Sequence, residues 1–142
     1  MKKKILIMGL PGSGKTFLAR SLLKHFEARW LNNDAIRKEY NDWDFSPEGR
    51  QRQSKRMREL SDELIKNGNN VVADFVCPTD STRKHYGADY LIWVDTLKEG
   101  RFEDTNKLFV PPAKFNFKVT SQDSELWSKK IFEDLKLNDF EL

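Results

Sequence analysis

Residues 9–16 match the pattern G-x-x-x-x-G-K-[ST] at every fixed position and read Gly9-Leu10-Pro11-Gly12-Ser13-Gly14-Lys15-Thr16. Glycines allow such a loop to turn its backbone N–H groups inward around phosphate oxygens. The lysine of this pattern reaches the outer phosphates, and the final hydroxyl ligates Mg²⁺. The motif therefore predicts a site for ATP and Mg²⁺, with Thr16 as a metal ligand. The expected phosphate contacts are Gly9, Pro11, Gly12, Ser13, Gly14, Lys15 and Thr16.

The segments on either side of this loop agree with that interpretation. Residues 4–8 form an apolar run typical of a buried strand, and residues 15–26 repeat apolar side chains at helical spacing. A helix that begins at the loop directs its positive N-terminal end at the bound phosphates. A strand, a glycine loop and a helix in this order favour a nucleotide site over an ordinary turn.

The rest of the chain alternates strand-like and helix-like patterns, which is typical of a parallel sheet flanked by helices. Further strands are expected at residues 29–31, 70–75, 90–94 and 115–119, and helices at 47–67, 81–86 and 124–135. We predict a single domain over residues 1–142 with the three-layer α/β/α P-loop NTPase fold and a mostly parallel sheet. Its site is expected at the carboxyl edge of the strands.

The composition limits the functional classes to which the protein can belong. The chain has 142 residues, a formal net charge of +3 and one cysteine, Cys77. The charge is too small to indicate nucleic-acid binding by itself, although it suits a protein that handles anions. No segment is long enough to span a membrane, and a lone cysteine points to a reducing, cytoplasmic setting. The oligomeric state is not fixed by the sequence, and a homodimer is left open.

Among P-loop proteins, a small kinase fits best. A guanine-binding Asn-Lys-x-Asp motif is missing, since the one Asn-Lys pair, Asn106-Lys107, is followed by Leu108-Phe109. Motors and large ATPases need a longer chain. The expected reaction is transfer of the γ-phosphoryl group of ATP to a small acceptor.

A carboxylate follows the second predicted strand, where a base for the acceptor hydroxyl would lie. Asp34 comes three residues after the strand, and Arg37 follows three residues later. A base at a strand's carboxyl end near the P-loop can take the acceptor proton, and an arginine can hold an anionic group. Asp34 is also a candidate to orient Mg²⁺ through water. The alternative is that Asp34 only caps the next turn.

The longest predicted helix has an inward stripe that changes character along its length. Met57, Leu60 and Leu64 are apolar, whereas Arg50 and Gln53 continue the same stripe toward the N-terminus. We expect the two polar side chains to face an enclosed polar pocket. Alternatively, the stripe ends and Arg50 lies in solvent.

These segments together resemble the adenylylsulfate kinase family. The resemblance rests on the P-loop, Asp34-Ala35-Ile36-Arg37, Asp42 to Arg50 with its Phe45-Ser46-x-x-x-Arg50 core, Gln53 with Lys55-Arg56, Phe75 to Pro78, and Val94-Asp95-Thr96. Members transfer the γ-phosphoryl of ATP to the 3′-hydroxyl of adenosine 5′-phosphosulfate. The resemblance covers most of residues 4–96.

The resemblance implies specific roles on the acceptor side. Asp34 would be the base, Arg37 and Arg50 would hold the phosphosulfate, and Gln53 would stand in the place of the family's asparagine. Phe45 would stack on the adenine of the acceptor. A phenylalanine before a helix cap can also act as a hydrophobic staple, and that alternative is left open.

The chain also departs from the family's pattern. Asn32 replaces the first aspartate of the family's pair, Ala35 replaces its asparagine, and Cys77 replaces a serine. Most of the family's lysine-rich lid is missing. Residues 100–107 would form a minimal lid, with Arg101 or Lys107 meeting the phosphates of ATP.

Asp74 supports an alternative acceptor. It ends a buried strand at a position where the adenylylsulfate kinases have a small residue, and it is a candidate to contact the substrate or to orient Mg²⁺ through water. The polynucleotide-kinase-like family carries an aspartate there and an arginine later, here Arg83. Its members phosphorylate 5′-hydroxyls of nucleic acids or other hydroxylated acceptors. A third alternative is a non-catalytic nucleotide-binding module, against which the retained Asp34 argues.

Overall fold

The computed structural model describes residues 2–100 and 102–142, and within them five strands and six helices. The strands are β1 (Lys4–Met8), β2 (Arg29–Asn32), β3 (Val71–Asp74), β4 (Tyr90–Val94) and β5 (Phe117–Val119). The helices are α1 (Lys15–Leu22), α2 (Asn33–Tyr40), α3 (Pro47–Lys66), α4 (Asp80–Tyr86), α5 (Glu103–Leu108) and α6 (Ser124–Leu137). Every strand and helix that the sequence predicts is present, with its ends shifted by a few residues.

The strands form one sheet in the order β2-β3-β1-β4-β5, and all four pairings are parallel. This confirms the predicted α/β P-loop NTPase fold. The carboxyl ends of parallel strands meet at one edge of the sheet, so the P-loop after β1 lies beside the ends of β3 and β4. Asp74 is the register partner of Ile7 on one side and of Asn32 on the other.

The core has two parts because β1 is buried on both faces. Ile5 and Ile7 pack on one face with α1 and α6, whereas Leu6 and Met8 pack on the other with α3 and α4. The domain therefore has three layers. No helix in residues 2–100 or 102–142 combines the length and the apolar character needed to cross a membrane.

Helix α1 is shorter than the sequence predicts. It ends at Leu22, after which the N–H groups of Lys24 and His25 donate to carbonyls three residues earlier, in a tight turn. Phe26, placed on the helical face by periodicity, is nevertheless buried. The helical spacing correctly predicts that Phe26 is buried, but it places the end of the helix too late in the chain.

Helix α2 is absent from the predicted elements. It begins directly after β2, where the Asn32 side chain accepts from the N–H of Ala35 at 2.9 Å. Asn32, and not Asp34, is therefore the cap, and Asp34 lies in the first turn. Acidic side chains are favoured there by the helix dipole. The helix was missed because its eight residues are mostly polar and carry no long apolar repeat.

Candidate nucleotide and acceptor site

Three glycines shape the P-loop. Gly9, Gly12 and Gly14 adopt φ angles of +155°, +85° and +107°, which L-residues rarely adopt. A Cβ atom on Gly9 would lie 2.5 Å from the carbonyl oxygen of Val94, at the end of β4. The glycines of the motif are thus required both by backbone conformation and by the close approach of a neighbouring strand.

Two side chains from other loops bind the P-loop carbonyls. Gln122 Nε2 donates to the carbonyl of Gly12 at 3.1 Å, and the Thr96 hydroxyl donates to the carbonyl of Ser13 at 2.7 Å. The C=O of Ser13 and the N–H of Gly14 belong to one trans peptide group, so they point in opposite directions. Since the C=O faces Thr96, the N–H of Gly14 faces away from it. Neither residue was predicted to support the loop. The sequence feature that could have identified them is their position after β4 and β5. The carboxyl ends of these strands lie at the same edge of the sheet as the P-loop.

The last two residues of the motif, Lys15 and Thr16, both make side-chain hydrogen bonds. Lys15 Nζ donates to the carbonyl of Leu10 at 3.0 Å, so the ammonium lies over the loop. The Thr16 hydroxyl accepts from Asn32 Nδ2 at 3.3 Å. The Ser13 hydroxyl is buried without a hydrogen-bond partner in the described part of the chain.

Beside Thr16 lies a buried carboxylate with two donors from β2. Trp30 Nε1 donates to Asp74 Oδ2 at 2.6 Å, and Asn32 Nδ2 donates to Asp74 Oδ1 at 3.1 Å. Burial raises the pKa of the Asp74 carboxyl, and these two hydrogen bonds and the nearby Lys15 oppose that rise. Burial disfavours the charged form of a carboxylate, and the two hydrogen bonds offset part of that cost.

Asp34 connects the P-loop to the acceptor side. Its side chain is exposed in the first turn of α2. Its charge adds to the rise in the pKa of Asp74 and opposes the lowering of the pKa of Arg37 by burial. Asp34 therefore interacts electrostatically with both side chains.

Arg37 is a buried cation held by carbonyl oxygens. It is 3% exposed, and its Nη1 donates to the carbonyls of Asp42 and Asp44 at 2.8 and 3.3 Å. Its Nε is buried and lacks a hydrogen-bond partner among the described residues. Burial lowers the pKa of this guanidinium, and Arg56 and Arg50 lower it further, whereas Asp42 and Asp34 raise it. A buried charge with an unmet donor is costly, and an anionic group bound close to it would offset part of that cost.

Replacing Arg37 with Met is expected to raise the KM for an anionic acceptor at least tenfold while changing kcat little. The free energy of unfolding should change by less than about 1 kcal/mol, because the lost hydrogen bonds are offset by removal of a poorly compensated buried charge. Steady-state kinetics and urea unfolding measure the two effects. Arg58→Met, an exposed position on α3, is the matched control. An unchanged acceptor KM in Arg37→Met would remove this residue from the acceptor site.

Phe45 and Arg50 border Arg37. The guanidinium of Arg37 lies 4.5 Å from the centre of the Phe45 ring, which is 55% exposed. Arg50 is half-buried, and its Nε donates to the carbonyl of Phe45 at 2.9 Å. A hydrophobic staple would pair Phe45 with the fourth residue of α3, but that residue is Arg50. The exposed ring face is therefore available to a flat ligand.

Gln53 lies where the helical stripe predicted, in an enclosed polar place. It is 3% exposed, its Nε2 donates to Asn33 Oδ1 at 2.9 Å, and its Oε1 accepts from Arg56 at 2.7 Å. Both ends of the amide thus have protein partners. Gln53 ties α3 to Asn33, directly beside Asp34. Arg56 in turn pairs with Asp42 at 3.1 Å.

Arg83 and Lys107, two further candidates from the sequence, both have protein partners. The Arg83 guanidinium is bound by the carbonyls of Cys77 and Val110 and by Asp80, so it supports the loop after β3. Lys107 pairs with Glu103 at 3.4 Å on the exposed side of α5. Arg101 lies outside the described residues.

A cavity of about 260 Å³ opens next to the P-loop. Its lining includes Gly14, Phe17, Val119, Gln122 and Trp127. It combines aromatic and aliphatic walls with a few polar groups, which is typical of a small-molecule pocket. A larger cavity, about 590 Å³, lies between the end of α1 and the loop before β3, at the opposite edge of the sheet.

The donor set beside Thr16 fits Mg²⁺. No group of three or more His, Cys, Asp or Glu side chains in residues 2–100 and 102–142 could form a metal cage. Magnesium in kinases is typically held by one or two protein oxygens together with substrate phosphates and waters. The Thr16 hydroxyl as a direct ligand, with Asp74 placed to act through water, meets that requirement.

Comparison with known proteins agrees with this geometry. A family model described as an AAA domain matches residues 5–88, more than half of the chain. The chain belongs to this AAA domain family. The match covers the P-loop, Asp34, the acceptor-side arginines and Asp74. No curated protein sequence matches significantly.

Solved structures of small kinases share the fold of this AAA domain protein at low sequence identity. APS kinase CysC of Mycobacterium tuberculosis, in complex with AMPPNP and APS, has a TM-score of 0.81 and 19% identity, covering 95% of this chain and 98% of that one. A Janibacter sugar kinase has a TM-score of 0.73 and 16% identity, with coverages of 96% and 95%. Shikimate kinase from Acinetobacter baumannii, with shikimate, has a TM-score of 0.66 and 16% identity, with coverages of 99% and 97%. The fold is that of a P-loop kinase.

Proposed function

We propose that this protein is an ATP-dependent phosphotransferase whose acceptor is adenosine 5′-phosphosulfate. The observation that carries the proposal is the arrangement at the carboxyl edge of the sheet, where Asn32 Nδ2 donates both to the Thr16 hydroxyl and to Asp74. Helix α2 begins directly after Asn32 and carries Asp34 and Arg37. The Thr16 side suits the phosphates of ATP and the Arg37 side suits an anionic acceptor, with Asp34 between them in the chain.

The proposed chemistry follows from those positions. Asp34 takes the proton of the acceptor hydroxyl as that oxygen attacks the γ-phosphorus. Lys15 and the P-loop N–H groups offset the charge of the transferring phosphoryl group and of the departing ADP. Thr16, with Asp74 acting through water, would hold Mg²⁺, which would supply positive charge against the phosphates. Arg37 and Arg50 hold the acceptor so that its hydroxyl stays within reach of Asp34.

The acceptor site favours an anionic group joined to a flat ring. Arg37 offers a positive charge 4.5 Å from the centre of the Phe45 ring, and that ring offers an exposed aromatic face. Adenylylsulfate carries a phosphosulfate and an adenine, which match these two features. Shikimate and simple sugars lack the aromatic part. One of the similar structures is itself a complex with APS.

The nucleotide's base would occupy the cavity beside the P-loop. Gly14 and Gln122 line this cavity, and Phe17 and Trp127 supply aromatic surface. A purine needs an apolar slot with a few polar groups near its edge. This placement puts ATP and the acceptor on opposite sides of Lys15.

A 5′-hydroxyl of a nucleic acid is the second candidate acceptor. Asp74 favours it, because the polynucleotide-kinase-like pattern has an aspartate at that point. Arg83, the arginine assigned to the same pattern, is engaged with the loop after β3. We therefore rank adenylylsulfate first.

One assay separates the candidates. ADP release is measured with ATP and Mg²⁺ in the presence of adenylylsulfate, of a 5′-hydroxyl oligonucleotide, or of neither. Stimulation by adenylylsulfate alone supports the proposed acceptor. Labelling of the oligonucleotide instead would replace it by the second candidate. Nucleotide binding without turnover on either acceptor would indicate a non-catalytic module and contradict the proposed reaction.

A further inference from the structure

Trp30 makes an unusual contact for a residue on an edge strand. Its indole N–H donates to Asp74 Oδ2 at 2.6 Å, across the β2–β3 pairing. Asp74 is 3% exposed, so few groups compete with this donor. A hydrogen bond to a buried carboxylate is stronger than one between neutral groups, because one partner is charged.

Asn32 binds the same carboxylate and extends the contact to the P-loop. Its Nδ2 lies 3.1 and 3.3 Å from the two carboxylate oxygens of Asp74, and 3.3 Å from the Thr16 hydroxyl. The Asn32 amide oxygen is fixed by the N–H of Ala35. Both oxygens of Asp74 are therefore held from the β2 side. The carboxylate cannot rotate without breaking one of these bonds.

The P-loop lies next to the held carboxylate, because Asn32 Nδ2 also donates to the Thr16 hydroxyl. The Lys15 ammonium opposes the rise in the pKa of Asp74, which agrees with that proximity. A simple packing role for Trp30 needs only its ring, which contacts the α1 side of the core. The short N–H contact goes beyond packing, since an indole N–H could otherwise be left in solvent on this half-buried edge residue.

We propose that Trp30 is a positioning residue that acts through Asp74. Its indole N–H holds the carboxylate at the angle that faces Lys15 and Thr16, and thereby sets how strongly Mg²⁺ enhances nucleotide binding. The inference rests on the proposed function, because it assigns Asp74 to the metal side of the nucleotide site.

Trp30→Phe keeps an aromatic ring and removes the donor. Binding of a fluorescent ATP analogue is measured with and without Mg²⁺, in the wild type and in Asp74→Asn backgrounds. Affinity without Mg²⁺ should stay within about twofold, and the enhancement by Mg²⁺ should fall about tenfold. In the Asp74→Asn background Trp30→Phe should have little further effect, since the charged acceptor through which it acts is gone. Trp93→Phe is the matched control.

Equal effects of Trp30→Phe in both backgrounds would mean that the ring acts by packing, and would overturn the inference. An unchanged Mg²⁺ enhancement in the single variant would do the same. A wild-type protein that binds no nucleotide in either condition would instead overturn the proposed function, and this inference with it.

A second measurement needs no change at Trp30. In ¹⁵N–¹H spectra of the wild type, one indole resonance should respond strongly to Asp74→Asn, because its N–H loses a charged acceptor. The same resonance should move when AMPPNP is added with Mg²⁺, and move much less when AMPPNP is added alone. An indole resonance that ignores Asp74→Asn, or that responds equally with and without Mg²⁺, would contradict the positioning role.

Discussion

Replacing Asp34 with Asn is expected to lower kcat about a thousandfold, within the range that loss of a general base produces. The amide keeps the size of the carboxylate and cannot take the acceptor proton. ATP affinity should stay within about twofold, because the P-loop, Lys15 and Thr16 are untouched. Single-turnover kinetics measure the chemical step, and equilibrium titration with ATP measures binding.

Glu39→Gln is the matched control for Asp34→Asn. Glu39 is an exposed acidic residue on the same helix, and its removal changes the net charge by the same amount. We expect it to leave kcat within about twofold. If Asp34→Asn retained the full rate, Asp34 would have no part in proton transfer, and the proton would have to leave through another group.

The fold could be predicted because its signals are local. The glycine loop, the apolar run of β1 and the caps of α3 each depend on residues a few positions apart. Ser46 caps α3 by accepting from the N–H of Gly49, and Pro47 begins the helix, as the sequence indicates. Short polar elements carry weaker signals. Helix α2 was missed for this reason, although it presents both Asp34 and Arg37.

The contacts within the site were harder to predict because they join distant parts of the chain. Trp30 and Asp74 meet only through the β2–β3 pairing, 44 residues apart in sequence. Gln122 reaches Gly12 across 110 residues.

On the proposed acceptor side, burial distinguishes two residues of the same type, Arg37 and Arg50. The sequence placed Arg37 and Arg50 together as anion-binding residues, without distinguishing them. The structure buries Arg37 against carbonyl oxygens and leaves Arg50 half-buried at the rim. A desolvated cation interacts more strongly with an anionic ligand than one screened by water. Arg37 should therefore contribute more to acceptor affinity than Arg50.

Gly9→Ala is expected to destabilise the protein by about 3 kcal/mol and to weaken ATP binding at least tenfold. The new methyl group would meet the Val94 carbonyl at 2.5 Å and the Ser13 hydroxyl at 3.0 Å, on a residue whose φ is +155°. Overpacking costs about 1–3 kcal/mol. An unfavourable backbone conformation costs about 1–2 kcal/mol. Relief of the clash requires β1 to move from β4, which displaces the phosphate-binding N–H groups. Urea unfolding and ATP titration measure both effects.

Gly68→Ala separates the two causes. Gly68 also has a positive φ, +90°, but nothing lies within 4 Å of a Cβ built there. It should therefore lose only the conformational part, about 1 kcal/mol, and keep its ATP affinity. The difference between the two variants measures the close contact between the P-loop and β4. Equal losses of stability would mean that backbone conformation alone fixes glycine at position 9, and that β4 places no steric limit on the loop.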